Sequence, residues 1–273
     1  MKPRTPARVM LLTNSLQAAP AGGRELLCKL NRDILRDIYG DRLVLFVLPS
    51  YKLRGIKAVL SALKGHIDGL NKKTIASALQ VARSESVSKV FIDGSNLGEL
   101  VKIIKKQLPQ VEVSTFFHNV EARFFWGAFR QKASLRSLGV LIANFLAEKK
   151  SVRYSDKIIC LSERDSRRLD EIYGRPATHL SPMALEDKMP ADFGLDTKPV
   201  SEKFALFVGG NFYANRAGIT WFVKNVVPRI QIKTCIVGRG LEDIRKDLEV
   251  AGKVEVIGAV DDLASWYQNA HFV

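Results

Sequence analysis

Apolar residues in this chain gather in short runs, and longer stretches with helical spacing lie between them. Residues 9–13 (VMLLT) read as a strand ended by Asn14-Ser15. Leu26, Leu27, Leu30, Ile34, Leu35 and Ile38 recur at helical spacing, so 25–39 reads as a helix with Gly40 as its C-cap. The alternation continues with a buried strand at 43–48 before Pro49, helices at 52–63 and 71–84, and a strand at 89–93. A helix at 97–107 and strands at 111–117 and 157–161 follow, and then a helix at 163–173. The stretch 176–200 is rich in proline and reads as a boundary. Beyond it the rhythm restarts: strands at 204–208, 234–237 and 254–257 alternate with helices at 217–227, 241–250 and 261–269. Residues 271–273 begin one more strand. Apolar strands alternating with helices predict an α/β protein of two doubly wound parallel sheets, each covered on both faces. The expected domains are 1–190 and 191–273, the second incomplete because it stops at the start of a strand. Ligands of such domains bind beyond the C-terminal strand ends.

Composition narrows this picture. Of 273 residues, 47% are hydrophobic and 26% charged, which excludes a disordered chain. Three cysteines (Cys28, Cys160, Cys235) without a CxxC pair argue against a disulfide scaffold or a zinc site and point to a reducing compartment. No apolar run approaches the roughly 20 residues of a membrane span, so a cytoplasmic protein is expected. The net charge is +14, yet 201–273 hold nine basic and eight acidic residues, so the first 200 residues carry +13 of it. A basic surface of this kind suits anionic lipid, nucleic acid or a phosphorylated substrate. Neither a helix-turn-helix, a zinc knuckle nor an RNA-binding aromatic motif is present, so nucleic acid is not an expected partner.

Five stretches could carry chemistry. Gly22 and Gly23 lie where the first strand feeds the first helix, and glycines there let backbone N–H groups approach a phosphate. The loop is neither GxGxxG nor GxxxxGK[ST], which excludes the standard dinucleotide fingerprint and the P-loop. His118 follows a strand end, where an imidazole can donate a hydrogen bond or act as acid or base. From 122 to 154 seven basic residues face one acid, Glu148, with Phe124, Phe125, Trp126 and Phe129 among them. That composition suits an anionic membrane surface, with Arg123, Phe125, Trp126, Arg130 and Lys132 facing it. It also suits stacking on single-stranded nucleic acid or a helix that buries its aromatics. Gly209-Gly210-Asn211 and Gly238-Arg239-Gly240 close strands of the second unit, and Arg239 could hold a diphosphate.

In combination, HNVEARFF at 118–125, SDKIICLSERDSRRL, FVGGNFYANRAGITWFVKNVVPRI, IVGRG and VEVIGAVDDLASWYQNA resemble the retaining family-four glycosyltransferases of polysaccharide and lipopolysaccharide assembly. The resemblance implies a GT-B fold of two Rossmann-like domains. It implies that His118 stands beside the transferred sugar, with Asn119 and Glu121 shaping the acceptor side. Gly22 and Gly23 would approach the donor diphosphate and acceptor, and Ser162 would end a strand facing the ligand. Gly209, Gly210, Asn211 and Arg239 would meet the donor phosphates, and Gly258 would lie near the nucleotide base.

The function so implied is sugar transfer, with retention, from a nucleotide-sugar to a saccharide or lipid-linked saccharide, peripherally at the inner face of the cytoplasmic membrane. The nucleotide-sugar is a substrate, and neither a cofactor nor an obligatory metal is implied. The family's Gly-rich turn and ribose-binding Glu would follow residue 273, so weak donor binding by these residues alone is expected. The competing expectation is a catalytically incomplete, glycosyltransferase-like binding or scaffold protein at the membrane surface.

Overall fold

A computed structural model describes residues 7–13, 22–50, 55–185 and 203–273. The chain divides into two compact units, 1–184 and 185–273. The boundary expected at 190/191 and the proline-rich 186–202 lie outside the described residues, as do 14–21 and 51–54.

The first unit is a six-stranded, wholly parallel sheet. Its strands are β1 (Arg8–Thr13), β2 (Leu43–Val47), β3 (Val87–Asp93), β4 (Glu112–Phe117), β5 (Lys157–Cys160) and the two-residue β6 (His179–Leu180). The spatial order is β2-β1-β3-β4-β5-β6. Helices α1 (Gly23–Tyr39), α2 (Gly55–Leu63), α3 (Lys72–Ser84) and α4 (Gly98–Gln107) connect the first four strands. Helices α5 (Glu121–Gln131), α6 (Leu135–Tyr154) and α7 (Glu163–Tyr173) complete the unit.

Strand alternation decides which residues enter the core. Met10, Leu12, Val90, Ile92 and Val113 share one face and bury against Ile75 and Leu79 of α3 and Leu100, Val101 and Ile104 of α4. Farther along the sheet Phe117, Ile158 and Cys160 meet Val152 of α6 and Leu169 of α7. Gly98 sits hard against α6: a Cβ there would lie 1.9 Å from the Ala147 carbonyl oxygen, so only glycine permits the approach.

The opposite face is not covered as the periodicity predicts. Helix α1 packs on it, and an open groove of about 410 Å³ runs from Ile34, Leu35 and Tyr39 of α1 across Phe91, Ser114 and Ile159. Charge takes the place of packing there: Lys157 donates to Glu112 at 3.2 Å, and Lys89 lies 3.6 Å from the same oxygen. Strand β2, expected to be buried, is the sheet edge, and its Leu45 and Val47 are exposed.

The second unit is a three-stranded parallel sheet in the order β7-β8-β9. It comprises β7 (Phe204–Val208), β8 (Lys233–Val237), β9 (Val254–Gly258), α8 (Tyr213–Asn225), the single-turn α9 (Arg245–Leu248) and α10 (Ala264–Asn269). Helix α8 starts four residues before the expected 217, which brings its first turn up to the Gly-bearing loop. Phe272 pairs with Ala205 on the free side of β7, so the strand begun at 271 joins this sheet in parallel.

Candidate functional site

The same alternation that builds the core of the first unit aims its chemistry. Leu11 and Thr13, Phe91 and Asp93, and Phe116 and His118 all point to the α1 side of the sheet, at the C-terminal ends of adjacent strands. Helix α1 brings Cys28 and Asn31 against them. The fully buried Asp93 accepts from Thr13 Oγ1 at 3.0 Å on one oxygen. On the other it accepts from Asn31 Nδ2 and from His118 Nε2, both at 2.9 Å. Burial works to raise the Asp93 carboxyl, but the hydrogen bond and charge of His118, with further donors, hold it below its ordinary value. Cys28 Sγ lies 4.0 Å from His118 Nε2, and burial, then Asp93, pushes the thiol up to about 12. Cys28, Asp93 and His118 are the one trio among the described residues whose ligand atoms lie close enough to share a metal. A metal would need the thiolate, which that environment disfavours.

A second network sits where β4 passes into α5. Val120 offers no side-chain cap, and the carboxylate of Glu148 on α6 replaces it, accepting from the Glu121 N–H at 2.8 Å and the Ala122 N–H at 3.0 Å. Ser95 Oγ and Tyr173 Oη also donate to Glu148. Burial nevertheless raises the Glu148 carboxyl above its ordinary value. Burial, then repulsion from Glu148, lifts Glu121 to about 7, against the pull of Arg24. Arg24 itself pairs with Asp68 at 2.7 Å, and Asn96 donates to the same carboxylate at 2.6 Å.

The sequence-derived candidates take definite places. His118 and Glu121 lie in these two networks, and Asn119 stands between them with a buried Oδ1 that finds no partner among the described residues. Gly22 is the N-cap of α1 and Gly23 its first residue, and a Cβ at either would meet nothing within 4 Å among the described residues. Ser162 ends β5 as the N-cap of α7: its Oγ accepts from the Asp165 N–H and donates to the Asp165 carboxylate. Its hydroxyl is thus engaged in capping. Of the expected membrane-facing residues, Arg123, Trp126, Arg130 and Lys132 are exposed. Phe125 is half-buried edge-to-face on Phe124. Helices α2 and α6 add exposed Leu60, Leu63, Leu135, Leu138 and Ile142, which composition did not single out.

In the second unit the three strand ends are laced together. Gly209 N–H donates to Val237 O, and Gly238 N–H to Gly258 O at 2.7 Å. Asn211 donates through its backbone to Arg239 O and through Nδ2 to Gly240 O at 2.6 Å. Gly238 has φ +150°, and a Cβ on it would lie 1.8 Å from Gly209 O. The five residues Gly209, Gly210, Asn211, Arg239 and Gly258 therefore belong to one constellation at the C-terminal strand ends. Arg239 is exposed and makes no ion pair among the described residues, while the N-terminal N–H groups of α8 have no side-chain cap. A helix N-terminus and an exposed arginine are group types that suit an anion.

Cys28, Asn31, Asp93, Thr13 and Glu148 were not candidates from sequence. Asp93 carried a usable signal: an acid closing an apolar strand run just before Gly94. Glu148 carried another, as the single acid in a basic segment.

No curated protein matches the chain in sequence. Residues 202–273 match the family described as "Glycosyl transferases group 1". The fold is similar to sucrose-phosphate synthase from Thermosynechococcus elongatus, with TM-score 0.69 and 15% identity over 96% of this chain and 74% of that one. It is similar to the lipopolysaccharide outer core galactosyltransferase WaaB, with TM-score 0.54 and 12% identity over 96% and 72%. It is also similar to S. aureus MnaA solved with UDP, with TM-score 0.50 and 11% identity over 97% and 73%. The chain therefore has two Rossmann-like units of the GT-B fold, and its residues 202–273 match the glycosyl transferases group 1 family model.

Proposed function

We propose that this protein transfers a hexosyl unit, with retention, from a nucleotide-sugar to a lipid-linked saccharide in cell-surface polysaccharide assembly. The observation that carries the reading is the family match over 202–273. Around it stand the N-terminus of α8, which has no side-chain cap, and the exposed Arg239, groups that can meet the charge of a diphosphate leaving group without an obligatory metal. WaaB and UDP-bound MnaA, similar in fold, make a nucleotide-sugar the natural donor class. His118 stands beside the transferred sugar in this reading, with Asn119 and Glu121 on the acceptor side.

The site of action is the anionic inner face of the cytoplasmic membrane. No helix among the described residues is long and apolar enough to cross a membrane. Trp126, Leu135, Leu138 and Ile142 of α5 and α6 are exposed, as are Arg123, Arg130 and Lys132, a set of apolar and basic side chains that fits anionic lipid.

The test supplies the protein with labelled UDP- and GDP-sugars and a membrane extract containing lipid-linked saccharides, and follows label into the lipid phase. Transfer that His118→Ala lowers well over tenfold supports the reading. Turnover unchanged in that variant would remove His118 from the mechanism, and absence of transfer across all donors would refute the function.

A further inference from the structure

A second cavity, of about 380 Å³, lies between α5, α6 and α7. Trp126 of α5, Leu141, Ile142 and Phe145 of α6 and Ile172 of α7 form its walls, and Arg123 is its one charged residue. That size and that lining are those of a small-ligand site. Its mouth is open, since Trp126 is 43% and Ile142 41% exposed. Ile142 also belongs to a stripe on the outside of α6. Leu135, Leu138, Ile142 and Leu146 recur at intervals of three, four and four, which is one face of a helix, and all four are exposed. An apolar track thus runs along α6 to the cavity.

Charge narrows the ligand. Glu121 and Glu148, the two acids of α5 and α6, are buried, so every exposed charge on these helices is basic: Arg123, Arg130, Arg136, Lys149 and Arg153. Arg123, Trp126 and Arg130 fall on one face of α5 by their spacing. A fitting ligand is therefore apolar along its length and anionic at one end. One turn of a partner helix, about 10 Å across and about 5.4 Å tall, takes up more than the cavity's volume, whereas a hydrocarbon chain is thin enough to enter. We propose that this cavity takes one hydrocarbon chain of a phosphate-bearing membrane lipid, with Arg123 meeting the phosphate.

That this lipid carries the acceptor saccharide rests on the glycosyl-transfer reading above, and the position of the cavity agrees with it. Ala122, also in the lining, directly follows Glu121. The N–H groups of both are held by Glu148, which also accepts from Tyr173 Oη at 2.8 Å. The Tyr173 ring in turn packs 5.4 Å from that of Phe145 in the cavity wall. The cavity and the start of α5 therefore share one rigid set of contacts.

The test uses the whole chain with Trp221→Phe and Trp266→Phe, so that Trp126 in the cavity wall is the remaining tryptophan. Farnesyl phosphate, farnesol and inorganic diphosphate are titrated separately, the lipids below the concentrations at which they form micelles. The expected result is a saturable fluorescence change at one farnesyl phosphate per chain, about fivefold weaker binding of farnesol for want of the charge, and no change with diphosphate alone. Arg123→Gln should remove the preference for the phosphate, and Ile142→Asp should weaken both lipids roughly tenfold or more. Farnesyl phosphate bearing a diazirine on its chain then locates the site in the unsubstituted protein, with label expected on peptides of α5, α6 and α7. Label elsewhere overturns the proposal, as do absence of saturable binding, a response to diphosphate alone, or undiminished binding in a folded Ile142→Asp. If Ile142→Asp does not fold, the labelled peptides still decide. Self-association in the ultracentrifuge that farnesyl phosphate does not disturb and Ile142→Asp abolishes would give this face to a second copy and also overturn the proposal. Lipid binding without sugar transfer would refute the glycosyl-transfer reading and leave the cavity's ligand standing, and sugar transfer without lipid binding would do the reverse.

Discussion

Glu121 makes the first unit sensitive to pH across the neutral range, and the size of that effect follows from its surroundings. Burial, then the nearby Glu148, raises its carboxyl from 4.5 to about 7. Because the folded value is above the unfolded one, the native chain keeps a proton that the unfolded chain releases between those two values. The unfolded state binds fewer protons in that window, so stability falls as pH rises through it and is level on either side. A shift of roughly two and a half units at about 1.36 kcal/mol each amounts to about 3 kcal/mol. Glu121→Gln keeps the shape and the backbone N–H that Glu148 accepts, and it removes the titration. Below the window the variant and parent should be alike. Above it the variant should be more stable by about 3 kcal/mol. Relief of repulsion on Glu148 acts in the same direction. Urea unfolding in steps of pH measures this, read through Trp126 with Trp221 and Trp266 replaced by Phe so that the first unit alone reports. A ¹³C titration of the Glu121 carboxyl gives the value directly. Parallel stability curves for the two proteins, or a carboxyl titrating in its ordinary range, would refute the reasoning.

Other substitutions separate glycines held by packing from glycines that leave room. Gly238→Ala should unfold the second unit, costing on the order of 3 kcal/mol or more, because the new Cβ strikes the Gly209 carbonyl at positive φ, and limited proteolysis would report it. Gly23→Ala should raise thermal stability by about 0.5–1 kcal/mol, since it lies in α1 with open space at its Cβ. A loss of sugar transfer in that stable variant would mark ligand contact. Reversing Arg123, Arg130 and Lys132 to Glu should weaken sedimentation with phosphatidylglycerol vesicles at least tenfold, at about 1 kcal/mol for each basic residue lost. Unchanged vesicle binding would take α5 out of the membrane surface.

Strand and helix order was legible because two periodicities, two and 3.6, are written directly into the apolar positions. Helix α3 shows it with its Asn71 cap, whose side chain accepts from the Thr74 N–H, and α7 with Ser162 and Gly174 at its ends. The reading failed where burial depends on neighbours distant in sequence. LVLFV looks like an interior strand, yet β2 lies at the sheet edge, because strand order is a property of the whole sheet. The two-residue β6 is too short to show any period.

The candidate site divides along the same line. His118, Glu121 and the Gly209-Gly210-Asn211 loop could be picked out because they sit at strand ends within a recognisable motif. Their partners could not: Asn31 is 62 residues from Asp93, His118 is 25, and Ser95 is 53 from Glu148. Each partner is ordinary in its local sequence. By itself the sequence determined the fold class and the turns that close the strands, since those follow from local periodicity and from residues at strand ends. Only the tertiary structure decided that Asp93 meets His118 and that Glu148 caps α5, since contacts across a sheet arise from register and packing, which no local pattern encodes.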